Sequence, residues 1–245
     1  MISLSRRIVL YALAAIPVVL VAGVNAGAQA LSVLPVNIQM APGEQATTLT
    51  ITNQGASKTA VQIRAYAWNQ DGDNDQLTPS NEVVIAPPIA SIAPGDNQVV
   101  RLILRKPPQG KEATYRIILD QIPPAAEPGV VHVVLRLSIP IFAQPETRAA
   151  AHVDFHAEVK DGQTFLVGTN DGLRHDAIRD IELSTGDGRK MKLEAGASPY
   201  ILAGTTRHWK IDAPDAPPQP NSTLRLTARS DAGALEQQVQ VVDHP

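Results

Sequence analysis

The sequence predicts an all-β protein built as two β-sandwich domains. Three observations carry this. After residue 30, short runs rich in Val, Ile, Leu and Thr recur at intervals near ten residues. Twenty prolines and sixteen glycines, with Asn and Asp, separate those runs and leave almost no room for a helix. Past Pro145 the strand pattern restarts with shorter, more polar runs, which points to a second domain.

The first thirty residues read as a segment apart from the fold. Arg6 and Arg7 precede an almost unbroken apolar run from Ile8 to Val24. Ala26-Gly27-Ala28 and Ala28-Gln29-Ala30 are small-x-small cleavage sites. The pattern predicts a secretory signal peptide over 1–30. About 215 residues remain, enough for two ordinary domains, expected at 31–147 and 148–245. The formal net charge is −3, which gives no reason to expect a nucleic-acid partner. There is no cysteine, so an exported chain must be held by its cores alone. That excludes disulfide scaffolds and structural zinc–thiolate sites.

The first domain reads as follows. Leu31 to Met40 is an apolar strand that Ala41-Pro42-Gly43 ends. Thr48 to Thr52 alternates cleanly and turns at Asn53-Gln54-Gly55. Ala60 to Trp68 puts Val61, Ile63, Ala65 and Ala67 on one face, and Asn69 to Gln76 is expected as a polar hairpin loop. Val83 to Ala86 stops at Pro87-Pro88; Gln98 to Leu104 follows the turn Pro94-Gly95; Tyr115 to Ile122 stops at Pro123-Pro124. The last strand carries six alternating apolar residues, Val131, Val133, Leu135, Leu137, Ile139 and Ile141. From Val131 to Phe142 it would span roughly 40 Å. About seven strands at this spacing suggest an immunoglobulin-like sandwich. Periodicity leaves the destination of the last row open: it fills this domain's own core, or it waits for another chain.

The second domain, of about 95 residues, is read from strands at Val153–Val159, Thr164–Asn170, Ala177–Leu183, Arg207–Ile211, Leu224–Arg229 and Leu235–Val242. Gly162, Gly172, Gly186 and Gly188 mark its turns, and Gln144 to Ala150 is the expected joint between domains.

Residues that could carry chemistry are few. His152 and His156 could share one face of a strand, but without further ligands at metal spacing they read as surface histidines. Asp71-Gly72-Asp73-Asn74-Asp75 lacks the later Gly and Glu of a calcium loop and reads as a turn. No nucleophile elbow, phosphate loop or dinucleotide fingerprint occurs. No cofactor, metal or catalytic residue is expected, and the chain is not read as an enzyme.

Several elements together resemble the periplasmic pilus-assembly chaperones of the PapD-like family. They are Thr50-Ile51-Thr52-Asn53, Trp68, Pro87-Pro88-Ile89, Ile92-Ala93-Pro94-Gly95 and Val99-Val100-Arg101, in that order. Glu112 and Pro123 keep the eleven-residue spacing of the family signature, although Ala113, Thr114, Arg116 and Ile118 depart from its usual choices. The short loop from Pro123 to Gly129 and the absence of cysteine resemble the short-loop or archaic branch.

The resemblance implies two immunoglobulin-like domains joined at an angle, in an L or boomerang shape. It implies a periplasmic chaperone that lends a strand to pilus or fimbrial subunits and delivers them to an outer-membrane usher. Val133, Leu135, Leu137, Ile139 and Ile141 would be the subunit-binding strand. Arg101, Glu112 and Asp231 would form interdomain salt bridges. The family's basic residue on the first strand falls near Asn37 here, so Arg64 and Arg148 are the substitutes for a carboxylate anchor. An exposed apolar edge also invites self-association. The alternative is an envelope immunoglobulin-like protein, structural or adhesive, in which the last row is buried intramolecularly.

Overall fold

The computed structural model describes residues 31–125, 128–129, 132–147, 149–194, 196, 198–212 and 217–243. All of its regular structure is β. The segment 1–30 lies outside the described residues, so the expected signal peptide does too.

The first ten strands are β1 (Leu31–Leu34), β2 (Ile38–Met40), β3 (Ala46–Asn53), β4 (Thr59–Asp71), β5 (Asn74–Pro79), β6 (Val83–Ala86), β7 (Ile89–Ile92), β8 (Asn97–Leu104), β9 (Ala113–Ile122) and β10 (Arg136–Ala143). One sheet runs β1-β3-β8-β6 and the other β2-β10-β9-β4-β5, with β7 also on β4. The two faces close on one core. Leu49, Ile51, Val100 and Leu102 enter it from the first sheet, and Val61, Ile63, Ile117, Leu119, Ile139 and Ile141 from the second. Alternation along each strand aims these side chains inward, as the period of two requires.

Two expected elements change form. The apolar run from Leu31 to Met40 is two strands, not one. β1 pairs antiparallel with β3 while β2 pairs parallel with β10. Pro35, which has no backbone N–H, sits where the chain leaves one sheet for the other. The expected polar loop from Asn69 to Gln76 is instead ladder almost to its tip, with Asp71 paired to Asn74. Gly72, at φ +54°, takes the first position of that tight turn.

The later strands are β11 (Val153–Lys160), β12 (Gln163–Asn170), β13 (Asp176–Ala177), β14 (Arg179–Thr185), β15 (Lys190–Leu193), β16 (Tyr200–Ile201), β17 (Thr205–Asp212), β18 (Thr223–Ser230) and β19 (Gly233–Asp243). β11, β12 and β17 make one layer and β14, β18 and β19 the other. β15 bonds both β14 and β17, and β19 bonds both β18 and β11, so the ladder closes around a second core. Phe155, Leu166, Trp209, Leu226 and Val239 lie in that core. The single strand expected at Ala177–Leu183 is broken into β13 and β14, and β15 and β16 have too few residues to show a period.

A third, smaller apolar cluster joins the two cores. Trp68 of β4 and Phe142 of β10 meet Leu202 and Tyr200 of the second domain. The Trp68 ring stands 5.7 Å from Phe142 and 5.5 Å from Tyr200, edge-on to the latter. This cluster seats the end of β10 against the second domain.

Candidate functional site: a free strand edge and the junction between the domains

β10 pairs with β9 along its whole length, from Arg136 opposite Asp120 to Ala143 opposite Ala113. On its other side β2 covers only Ile141 to Ala143. From Arg136 to Pro140 that second edge has no strand beside it among the described residues. Before Arg136 the chain stays tied to β9 at one point: Leu135 N donates to Gln121 Oε1, and Gln121 N donates to Leu135 O.

The expected row therefore divides. Ile139 and Ile141 are 2% and 0% exposed and fill the first core. Leu137 is half-buried against that core, and Leu135 is half-buried. Val133 is 90% exposed and Val134 45%. The strand starts at Arg136, so Val133 to Leu135 is not part of it; Val131 lies outside the described residues. Expecting all five residues to be presented is thus corrected at Ile139 and Ile141. A side chain already packed in its own sandwich is not on offer to a second chain. The presented apolar set is Val133, Leu135 and Leu137, beside an open backbone edge. Leu34 and Val36, where β1 gives way to β2, are also exposed, at 65% and 64%.

The outer face of β9 and β10 carries charge. Asp120 accepts from Arg64 at 2.5 Å and also from Arg136. These hydrogen bonds, Arg136 first, hold the Asp120 carboxyl below the usual carboxylate value of 3.8. Arg64, expected as a free anchor, is thus committed to Asp120. Asn37 donates to the Tyr200 hydroxyl at 3.3 Å and accepts from Gln39. Arg148 lies outside the described residues.

A cation that the sequence reading noticed only as a departure stands at the junction. The Arg116 guanidinium lies 3.6 Å over the Trp68 ring and 3.6 Å from Asp75. Burial pushes it below the ordinary arginine value, against the pull of Asp75. The turn Asp71–Asp75, read correctly as a turn, also docks on the second domain. Gln70 bonds Tyr200 O, Leu202 N and the Thr205 hydroxyl, and Asp73 accepts from His208 N at 2.7 Å. Asp75 faces Arg207 at 3.7 Å.

Of the three residues expected in interdomain salt bridges, Glu112 and Asp231 each face a third group at the junction, and Arg101 is not with them. Val100 and Leu102 point into the core, so alternation turns Arg101 outward to solvent on β8. His175 takes its place. Its Nδ1 is 2.6 Å from Glu112 Oε2 and its Nε2 is 3.5 Å from Asp231 Oδ2. The ring stacks on Phe142 with centroids 3.5 Å apart. Gly172 brings this segment into position. An added Cβ there would lie 2.5 Å from His152 N, so only glycine lets the chain pass. No spacing in the sequence marked His175, because its partners come from two distant turns.

His152 and His156 take separate partners. His152 bonds Asp171 at 2.5 Å with Asp154 at 3.8 Å, and His156 faces Glu158 at 3.9 Å. His152, Asp154 and Asp171 are all largely exposed.

Residues 30–149 match the family described as the pili and flagellar-assembly chaperone, PapD N-terminal domain. The chain is 28% identical over 166 residues to the chaperone protein FaeE of Escherichia coli, covering 65% of this chain and 61% of FaeE. It is 28% identical over 138 residues to the chaperone protein PapD of Escherichia coli, covering 54% and 55%. The matches thus span about half to three-fifths of these relatives. Among solved structures it is similar to the chaperone–tip adhesion subunit pre-assembly complex CsuC–CsuE, from archaic chaperone-usher Csu pili of Acinetobacter baumannii. The TM-score is 0.64 at 23% identity, over 88% of this chain and all of that one. The YadV chaperone aligns with a TM-score of 0.61 at 14% identity, over 85% and 98%.

Proposed function

We propose, from the premise that the chain belongs to the PapD-like family of pilus-assembly chaperones, that it binds fimbrial subunits at the open edge of β10. The observation that carries this reading is the division of one apolar row into a buried half and a presented half. Ile139 and Ile141 anchor the strand in its own domain, while Leu135 and Leu137 stand beside unpaired backbone and Val133 stands free. A subunit lacking a strand of its own gains both parts at once. Its bare sheet edge finds a ladder, and its groove takes apolar side chains worth roughly 1.5–3 kcal/mol each on full burial. Two similar solved structures are complexes of a chaperone with a tip adhesion subunit and of a chaperone with a pilin, which supports a subunit as the partner.

On this reading residues 1–30 direct export to the periplasm, and the subunit is passed on to an outer-membrane usher. Of the expected carboxylate anchors, Arg64 is occupied by Asp120 and Asn37 by Tyr200, so the role falls to Arg148. The reading in which the whole row is buried intramolecularly does not fit the exposure of Val133.

The test is coexpression with a fimbrial subunit that lacks its final strand, followed by copurification. The double variant Val133→Asp and Leu135→Asp is expected to keep the wild-type melting curve and lose the subunit. Equal recovery of subunit with the folded double variant would overturn the assignment. Arg148→Ala is expected to weaken recovery without abolishing it.

A further inference from the structure

We propose that Gln121 is a positioning residue for the presented arm of β10: its side chain holds Leu135 extended and clear of β9, ready for a partner strand. The inference rests on the reading of β10 as a subunit-binding edge.

Alternation makes Gln121 stand out. Tyr115, Ile117 and Leu119 of β9 point into the first core, and Gln121 comes next on that row, 5% exposed. A polar side chain buried there needs partners for its amide. Nε2 donates at 3.0 Å to the hydroxyl of Thr59, a buried residue at the head of β4. Oε1 accepts from Leu135 N at 3.1 Å. The bond to Thr59 orients the amide, so the oxygen is turned toward Leu135.

The backbone shows what that oxygen replaces. Gln121 N donates to Leu135 O at 2.9 Å. In an antiparallel ladder the return bond would run from Leu135 N to the backbone oxygen of Gln121. Here the side-chain oxygen takes that bond. It reaches beyond the main chain, so the two strands part at this residue while Leu135 stays bonded through both its N–H and its C=O. The regular ladder ends at the neighbouring pair, Asp120 opposite Arg136. Among the described residues no hydrogen bond holds Val133 or Val134, which are exposed.

The consequence for binding is preorganisation. A segment already held extended loses less freedom when a second strand pairs with it. Without the Gln121 amide, Leu135 N has no acceptor in the fold, and the arm is extended for only part of the time. Apparent affinity then falls by the fraction of time the arm is competent. Gln121 touches no subunit in this account; it acts through Leu135.

The experiment compares the whole mature chain with Gln121→Met, which keeps the length of the side chain and removes both amide groups. Hydrogen exchange of the Leu135 amide, read by NMR, reports on the hold. Copurification with a coexpressed fimbrial subunit that lacks its final strand reports on binding. Protection of Leu135 is expected to fall about fivefold in Gln121→Met, the size of one neutral hydrogen bond, and subunit recovery to fall by a similar factor. Gln121→Glu keeps an acceptor for Leu135 N and is expected to restore both. Val239→Ala, a truncation in the second core, is the stability control and is expected to keep both at the wild-type level. Equal Leu135 protection in wild type and Gln121→Met would overturn the proposal. So would full subunit recovery by Gln121→Met, or an equal loss of recovery in Val239→Ala. A wild-type chain that recovers no subunit would instead overturn the reading of β10 itself, and the arm would then have no partner to be positioned for.

Discussion

Ile141 and Val133 stand eight residues apart in one apolar row and meet opposite fates. Ile141 has no exposed surface, so Ile141→Ala is expected to lower unfolding free energy by about 2–5 kcal/mol. Val133→Ala, at a side chain almost fully in water, is expected to change it by less than about 0.5 kcal/mol. Urea denaturation of the two variants checks both. Asp120 supplies the other residue-scale expectation. Its folded-state carboxyl is held below 3.8 by Arg136 and Arg64. The sign follows from linkage. A depressed acid contributes stability that is present above 3.8 and lost as pH falls through its folded value. A carboxyl-carbon NMR titration is expected to place the Asp120 midpoint below 3.8, and Asp120→Asn to flatten that part of the acid-stability curve. How much of this was legible in the sequence differs from residue to residue. That Ile139 and Ile141 share one face is a matter of period and was readable; that this face fills the domain's own core was not. The commitment of Arg64 was not, because Asp120 lies across a ladder from it and 56 positions away.

At the scale of elements, the hairpin of β4 and β5 has a larger part than its composition announces. The run Asp71 to Asp75 is correctly read as a turn. Its docking was not readable, because Gln70 finds all three of its partners in a strand pair more than a hundred residues later. Gln70→Ala leaves Leu202 N without its acceptor, and a buried donor without a partner costs about 1–3 kcal/mol. The variant is expected to lower the cooperativity of unfolding, so that calorimetry resolves two transitions where the wild type shows one. β10 illustrates the opposite balance. Its place and its apolar period are plain in the sequence. Where it stops being a strand is not, because that depends on how far β9 and β2 run beside it.

At the scale of the whole molecule, two cores and a smaller aromatic cluster frame the open edge of β10. Such an edge is expected to pair with a second copy when no subunit is present. Sedimentation at several concentrations is expected to show a larger species that Leu137→Lys abolishes. The two sandwiches, their strand-rich composition and the family were decided by the sequence alone. Alternation and turn residues act locally, within a few positions, and are written where they act. The junction was decided only by tertiary structure. Glu112 and Asp231 were expected there only from the family resemblance, and the group between them is His175 rather than Arg101. A residue's charge is in the sequence; which carboxylates it faces depends on the packing of two domains. The same holds for the apolar row: its period was in the sequence, and the division between core and open edge came from the neighbours that the fold set beside it.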